Sequence, residues 1–323
     1  MKRYLALSLF IFLQGFKLIA QDPHYTQFYS APLTVNPAYT GVFEGKLRVM
    51  SNYRQQWGNL ADPYTTSTVS ADLKIAGNDL ESQNPINVGI QMMNDKSMQG
   101  AFKSNYLMAI TSYHVNIDYD GKQSIGIGLS GSYGNRRIDF SSISFDRQFT
   151  SGGFDLSLPS GETILKNLKP YGSIGAGVLY QFKDQETGTF FDIGLSGYHL
   201  NKPKQSVLND NSEIVPIRYS AQASFQTYLG ETALINIKGL YQNQASVSYI
   251  LGGLSIATLI GESKDMVGAG IWYRSKDAFS PYLFTEFRNF MLGITYDITT
   301  SALKPGSRPA RSLEFSLQWR IQN

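Results

Sequence analysis

The 323-residue chain carries 28 Lys and Arg against 25 Asp and Glu, a formal charge of +3, and no cysteine. Lys2, Arg3 and Lys17 account for that excess, so the rest of the chain is neutral, which excludes a nucleic-acid partner, and the missing thiols exclude a disulfide framework or a lipidated cysteine. A mean hydropathy of −0.20 excludes a helical membrane protein, while 13% aromatic and only 16% charged residues suit an ordinary soluble domain poorly.

The chain opens with Lys2 and Arg3, a mostly apolar run from Tyr4 to Phe16, and the small residue Ala20. This is the plan of a secretory signal peptide over 1–20, too short for a convincing membrane helix. The next stretch, QDPHYTQFYSAPLTVNPAYTG (Gln21 to Gly41), neither alternates like a strand nor repeats like a helix. Pro23, Pro32 and Pro37 bar it from the middle of a sheet, and Asn36 before Pro37 favours an extended or turn conformation. Its rings (Tyr25, Phe28, Tyr29, Tyr39, then Phe43) need burial, and disordered tails are poor in aromatics. The expectation is a segment over 21–45 folded back as a plug in something hollow.

From 46 to 323 the signal is period two. Between Ser124 and Gly134 one face reads Ile125, Ile127, Leu129, Gly131, Tyr133, and the other is Gly and Ser. Tyr219, Ala221, Ala223, Phe225 oppose Arg218, Ser220, Gln222, Ser224. Phe290, Leu292, Ile294, Tyr296, Ile298 oppose Met291, Gly293, Thr295, Asp297. Leu313, Phe315, Leu317, Trp319, Ile321 oppose Ser312, Glu314, Ser316, Gln318, Arg320. The alternation lasts about ten residues, the length a tilted strand needs to cross a bilayer, whereas soluble strands average about five or six. Backbone groups in lipid must all be paired, so such strands close into a barrel. A soluble sandwich or propeller would place branched aliphatics on its inward faces, where this chain has Gly, Ser, Thr, Gln and Asn.

The pattern therefore predicts an all-β, antiparallel transmembrane barrel of about fourteen strands. They begin near Leu47, Tyr64, Asn87, Phe102, Ser124, Tyr171, Phe190, Pro216, Thr232, Ala245, Asp265, Ala278, Phe290 and Ser312. With both termini periplasmic, short turns (Asp120 to Lys122, Gly230–Glu231, Gly261 to Lys264, Asn289) and long connections (Ile138 to Pro170, Asn201 to Val215, Thr299 to Arg311) fall on opposite sides. The stretch Ala76 to Pro85 is long for a turn and Gln242 to Gln244 short for an outer loop. His24, His114 and His199 are far apart in sequence, and the last two are expected near strand ends, where amphipathic rings meet the membrane interface. No catalytic residue, metal ligand, cofactor or small-molecule substrate is assigned. Partner-binding residues are placed in the plug (Gln27, Phe28, Tyr29, Pro32, Asn36, Pro37, Tyr39) and on the apolar outer loop (Phe145, Phe149, Phe154), since function concentrates on loops held by a rigid scaffold.

The same residues carry a family resemblance. The opening QDPHYTQFYSAPLTVNPAYTG, followed by YRQQW at Tyr53, resembles the start of the PorP/SprF family of type IX secretion system membrane proteins. The likeness continues in order through NDKSMQGAFKSNYLMAITSYHV, SIGIGLSGSYGNRRIDFSSISFDRQF, GLSGYHLNKPKQS, GAGIWYR, GITYDITTSAL and SLEFSLQWR. The chain departs at Leu313, where the family often has histidine before the Glu314 position, and at Trp319, which lies inside the C-terminus. The resemblance implies an outer-membrane barrel of Bacteroidetes-type bacteria, embedded in outer-membrane lipid and accessory to protein secretion. It would act with the periplasmic apparatus, or in export and surface attachment of cargo such as gliding adhesins through their C-terminal domains. The alternative is a plugged pore for small or hydrophobic solutes; the inward faces above look poor in the charges a general porin's constriction needs.

Overall fold

The computed structural model describes residues 21–59, 62–75, 86–161, 168–205, 213–261, 265–301 and 310–322. The expected signal peptide and the 76–85 connection lie outside the described residues.

Runs of alternating apolar and small polar residues form β1 (Leu47–Gln56), β2 (Tyr64–Lys74), β3 (Ile86–Ser97), β4 (Phe102–Asn116) and β5 (Gln123–Ile138). A two-residue pair, β6 (Phe149–Thr150) and β7 (Gly153–Phe154), decorates the next connection. Then follow β8 (Tyr171–Asp184), β9 (Thr189–Tyr198), β10 (Arg218–Leu229), β11 (Ala233–Gln244) and β12 (Val247–Leu259). The series ends with β13 (Met266–Arg274), β14 (Ala278–Phe287), β15 (Phe290–Thr299) and β16 (Arg311–Ile321). Leaving β6 and β7 aside, each strand pairs antiparallel with its neighbours in sequence. The first strand closes on the last with Leu47 opposite Ile321 and Gln55 opposite Leu313, giving a closed fourteen-strand barrel without a free edge.

Strand length runs from 9 residues in β13 to 16 in β5, enough for tilted strands to cross a bilayer. The alternation sorts as the sequence predicts: Ile125, Ile127 and Leu129 are exposed on the outside, while Gly126, Gly128 and Ser130 are buried inside. A one-residue slip would turn the apolar row inward, so this register is strongly held. Phe287, Phe290 and Trp319 lie on the outer surface at one rim and Tyr219, Tyr273 and Phe279 at the other, like the aromatic girdles that flank a lipid-facing band. Phe290 stacks on Trp319 at 5.8 Å, and Tyr273 meets Phe279 at 4.7 Å with the rings tilted.

The two rims differ. The rim where β1 begins and β16 ends, here the terminal rim, carries connections such as 185–188, 230–232 and 288–289. The glycines there at 121, 188, 230 and 261 take φ of +64° to +69°, a conformation that tight turns need and side chains resist. The opposite loop rim carries the long connections 139–170, 199–217 and 300–310. Its shortest link is 245–246, where Ala245 itself takes φ +57°.

Residues 21–45 make no strand. They make three short 3-10 turns (28–30, 32–34 and 37–39), and the last two begin at Pro32 and Pro37, which fix φ without needing a donor. Buried apolar clusters form between this segment and the inner wall. One joins Phe28 and Val35 to Leu240, Trp272, Tyr282 and Phe284; another joins Leu33 to Met50, Met108, Ile110 and Tyr198.

The lumen as candidate functional site

The N-terminal segment runs the length of the barrel interior, and its course can be followed from its partners. At the loop rim, the Asp22 N–H donates to Gln244 Oε1 at 2.7 Å. Its carboxylate meets His199 Nε2 at 2.8 Å, Arg218 Nη1 at 3.3 Å and Arg136 Nη2 at 3.9 Å. At the terminal rim, the Gly41 N–H donates to Asp72 at 2.8 Å, and Arg48 binds both Asp72 and the Val42 carbonyl.

Between these ends lies a buried charge network. Arg54 bridges Glu314 at 3.0 Å and Asp297 at 2.8 Å, and Arg274 reaches the same Asp297 at 2.8 Å. The Thr26 hydroxyl accepts from Arg54 at 2.7 Å and from Arg274 at 2.8 Å, and donates to Asp297 at 3.2 Å. The backbone N–H groups of Thr26 and Gln27 each donate to one oxygen of Glu314 at 2.8 Å. Gln27 adds side-chain bonds to Thr295, the Glu314 carbonyl and Ser316. Paired, these charges hold the segment; removing one partner leaves another buried charge without its counterion.

Asn36 grips the opposite wall. Its amide donates to the Val178 carbonyl at 3.0 Å and the Leu195 carbonyl at 3.3 Å, and its oxygen accepts from the Ala38 N–H at 2.9 Å. Contact this close requires wall residues without side chains. A Cβ on Gly177 would lie 2.0 Å from Asn36 Oδ1, and one on Gly128 would lie 2.3 Å from both Ala38 N and Pro37 C. The Tyr39 hydroxyl donates to Asp192 at 2.5 Å, and Ser112 donates to the Thr40 carbonyl at 2.7 Å.

All seven candidate residues of the segment (Gln27, Phe28, Tyr29, Pro32, Asn36, Pro37 and Tyr39) therefore come together inside the barrel, against its own strands. The loop candidates stand apart at the loop rim. Phe145 is half-buried, while Phe149 and Phe154 are 64% and 57% exposed and meet edge to face at 5.0 Å.

Two expectations need correction. His114 and His199 are not interface rings: both are buried inside, His114 within 3.3 Å of the Thr40 carbonyl and His199 between Asp22 and Ser173. Nor are the inward faces poor in charge. Arg48, Arg54, Asp72, Arg136, Asp192, Arg218, Arg274, Asp297 and Glu314 are all buried there. The alternation hinted at them, since Arg218, Asp297 and Glu314 sit at inward positions, but their partners lie on strands far apart in sequence. Ser173, His199 and Asp22 form a hydrogen-bonded chain with the composition of a catalytic triad. Two guanidiniums share that carboxylate, which drains the charge a triad aspartate lends its imidazolium. Among the described residues, no group of three His, Asp or Glu is placed to hold a metal ion.

Solved barrels resemble the chain in shape alone. A deletion mutant of the monoaromatic hydrocarbon channel TodX superposes with a TM-score of 0.51 at 8% identity, covering 89% of this chain and 92% of that one. CdiB from Acinetobacter baumannii gives 0.47 at 8% identity over 85% of this chain, which spans 60% of its length. A Pseudomonas aeruginosa FadL homologue gives 0.49 at 8% identity, with 89% and 93% covered. No curated protein matches the sequence. The family model described as "Type IX secretion system membrane protein PorP/SprF" matches residues 18–319. A lipid-facing closed barrel matched over nearly its whole length by that model is an outer-membrane protein, and this chain belongs to the PorP/SprF family.

Proposed function

We propose that this barrel works without catalysis in type IX secretion, joining the periplasmic apparatus or the export and surface attachment of cargo adhesins through their C-terminal domains. In this reading the N-terminal segment closes the lumen, so the protein acts as a docking body and not as an open conduit. The full-length family match carries the secretion assignment. The lining of the lumen supports the closure: Thr26, Gln27, Leu33, Asn36, Ala38 and Thr40 are at 0% exposure against the inner wall. The aromatic pair Phe149 and Phe154 offers a surface for a protein partner at the loop rim.

Copurification from native outer membranes, with mass spectrometry of the bound chains, tests the reading. Secretion components or a cargo C-terminal domain should accompany the intact protein and be lost from a Phe149→Ser, Phe154→Ser double variant. A barrel that purifies alone, and whose deletion alters solute uptake but not secretion, would favour the small-solute pore.

A further inference from the structure

We infer that Arg136, His199 and Arg218 form a carboxylate-binding site at the loop rim, which Asp22 of the same chain occupies and for which an incoming carboxylate competes. The three groups come from different parts of the wall, the end of β5, the residue after β9 and the start of β10, and converge on one carboxylate. All are buried, with Arg136 at 9%, His199 at 6% and Arg218 at 7% exposure. Their positions are fixed by other partners. Arg136 Nε donates to the Tyr106 hydroxyl at 3.0 Å, Arg218 Nη2 donates to the Thr34 carbonyl at 2.8 Å, and His199 Nδ1 meets Ser173 at 2.8 Å. Arg218 also lies over the Tyr198 ring at 4.5 Å. The wall holds Arg136 through Tyr106 and His199 through Ser173, while Arg218 is held by the Tyr198 ring and by Thr34 of the segment, so the cage does not depend on Asp22 for most of its order.

The fit to Asp22 is incomplete, and this points to a second ligand of the same chemistry. Asp22 Oδ1 makes no hydrogen bond and lies 3.9 Å from Arg136 Nη2, and Arg218 Nε and the Tyr171 hydroxyl are buried without a partner. Tyr171 packs edge to face on His199 at 6.1 Å and lies under the Arg136 guanidinium at 5.9 Å, beside the cage. Two guanidiniums face one aspartate there. A better-aligned carboxylate, accepting two parallel bonds from one guanidinium, would satisfy donors that Asp22 leaves idle. The carboxylate could belong to a small acid or to a peptide's C-terminus.

The test uses the full chain purified in detergent and two readouts. Asp22→Ala, and the isosteric Asp22→Asn should Asp22→Ala not assemble, should melt at a lower temperature than the parent. Sodium acetate should restore most of that loss, whereas sodium chloride at equal ionic strength should not, and Arg218→Met should abolish the rescue. In the unsubstituted protein, acetate should speed chymotryptic cleavage after Tyr25, which is 2% exposed while the segment is seated, at least severalfold over chloride. A peptide with a free C-terminal carboxylate acting at far lower concentration than acetate, with its amidated twin inert, would identify a peptide source. Equal potency per carboxylate would identify a small acid. Identical effects of acetate and chloride in both readouts would overturn the site, whatever partner the barrel has in secretion.

Discussion

Adding one methyl group to the wall should separate the segment's anchoring from the barrel's stability. Gly128 sits in β5 with its open side against Pro37 and Ala38, where a Cβ would come within 2.3 Å of backbone atoms instead of an ordinary 3.4–4 Å. Backbone cannot swing aside as a side-chain tip can, so in Gly128→Ala the 36–38 turn must retreat by roughly 1 Å or more to restore van der Waals distance. That retreat strains at least two of the bonds Asn36 makes to Val178, Leu195 and Ala38. At about 1 kcal/mol per lost bond and about 1–3 kcal/mol for overpacking, the seated segment should lose about 3–5 kcal/mol. The barrel itself should gain slightly, by about 0.5–1 kcal/mol, since alanine suits a strand better than glycine. Limited chymotrypsin digestion in detergent reads the first effect and the melting temperature of the proteolysed barrel reads the second. At about 1.4 kcal/mol per tenfold, cleavage after Tyr25 should rise by about 100- to 4,000-fold while the barrel melts no lower. Gly131→Ala, on the outer face with nothing within 4 Å of its Cβ, should leave cleavage unchanged. A Gly128→Ala protein digested at the parental rate, or one no different from Gly131→Ala, would refute the anchoring argument.

Other substitutions probe the charges and the register. Glu314→Ala leaves Arg54 with one carboxylate fewer and strips the acceptor from the Thr26 and Gln27 N–H groups, so thermal melting should report a loss of about 3–5 kcal/mol. Ile294→Arg places a cation on the lipid face at a cost of about 2–4 kcal/mol and should impair assembly scored by heat-modifiable gel mobility. Thr295→Arg, one residue on, faces the lumen at 1% exposure beneath Gln27, so it should spare assembly and unseat the segment. Burial pushes the Asp22 carboxyl up, but the His199, Arg218 and Arg136 charges outweigh it and hold the group below the usual carboxylate range. A lowered folded value contributes stability above the free carboxylate pKa of about 3.9 and loses it as pH falls. Pepsin cleavage of the segment should thus accelerate as pH falls below about 4, a rise that Asp22→Asn should flatten.

The barrel was legible because its signal is local. Alternation along Phe290 to Ile298 or Ser312 to Ile321 needs no knowledge of any distant residue, and every barrel strand begins within two residues of its expected start. The largest displacements, Pro216 to Arg218 and Ala245 to Val247, fall where tight or irregular connections delay the ladder. The rings and prolines between Tyr25 and Phe43 announced a segment that avoids the sheet and needs burial, and its rings do lie against the inner wall. The charge network was not legible. Arg54, Arg274, Asp297 and Glu314 read singly as polar residues on separate strands, and only barrel closure sets β1 beside β16 and brings them around Thr26. The histidines failed for a related reason: position near a strand end does not say which face a ring takes, and Thr40 and Asp22 decide it from within.

Planar-bilayer conductance tests most directly whether residues 21–45 close the lumen. A chain deleted from Asp22 to Thr40 retains every strand and should still assemble, because no barrel ladder uses those residues. The account predicts that the intact protein stays electrically silent while the deleted one shows large, steady channels. A deleted barrel that assembles yet conducts no more than the intact protein would contradict it.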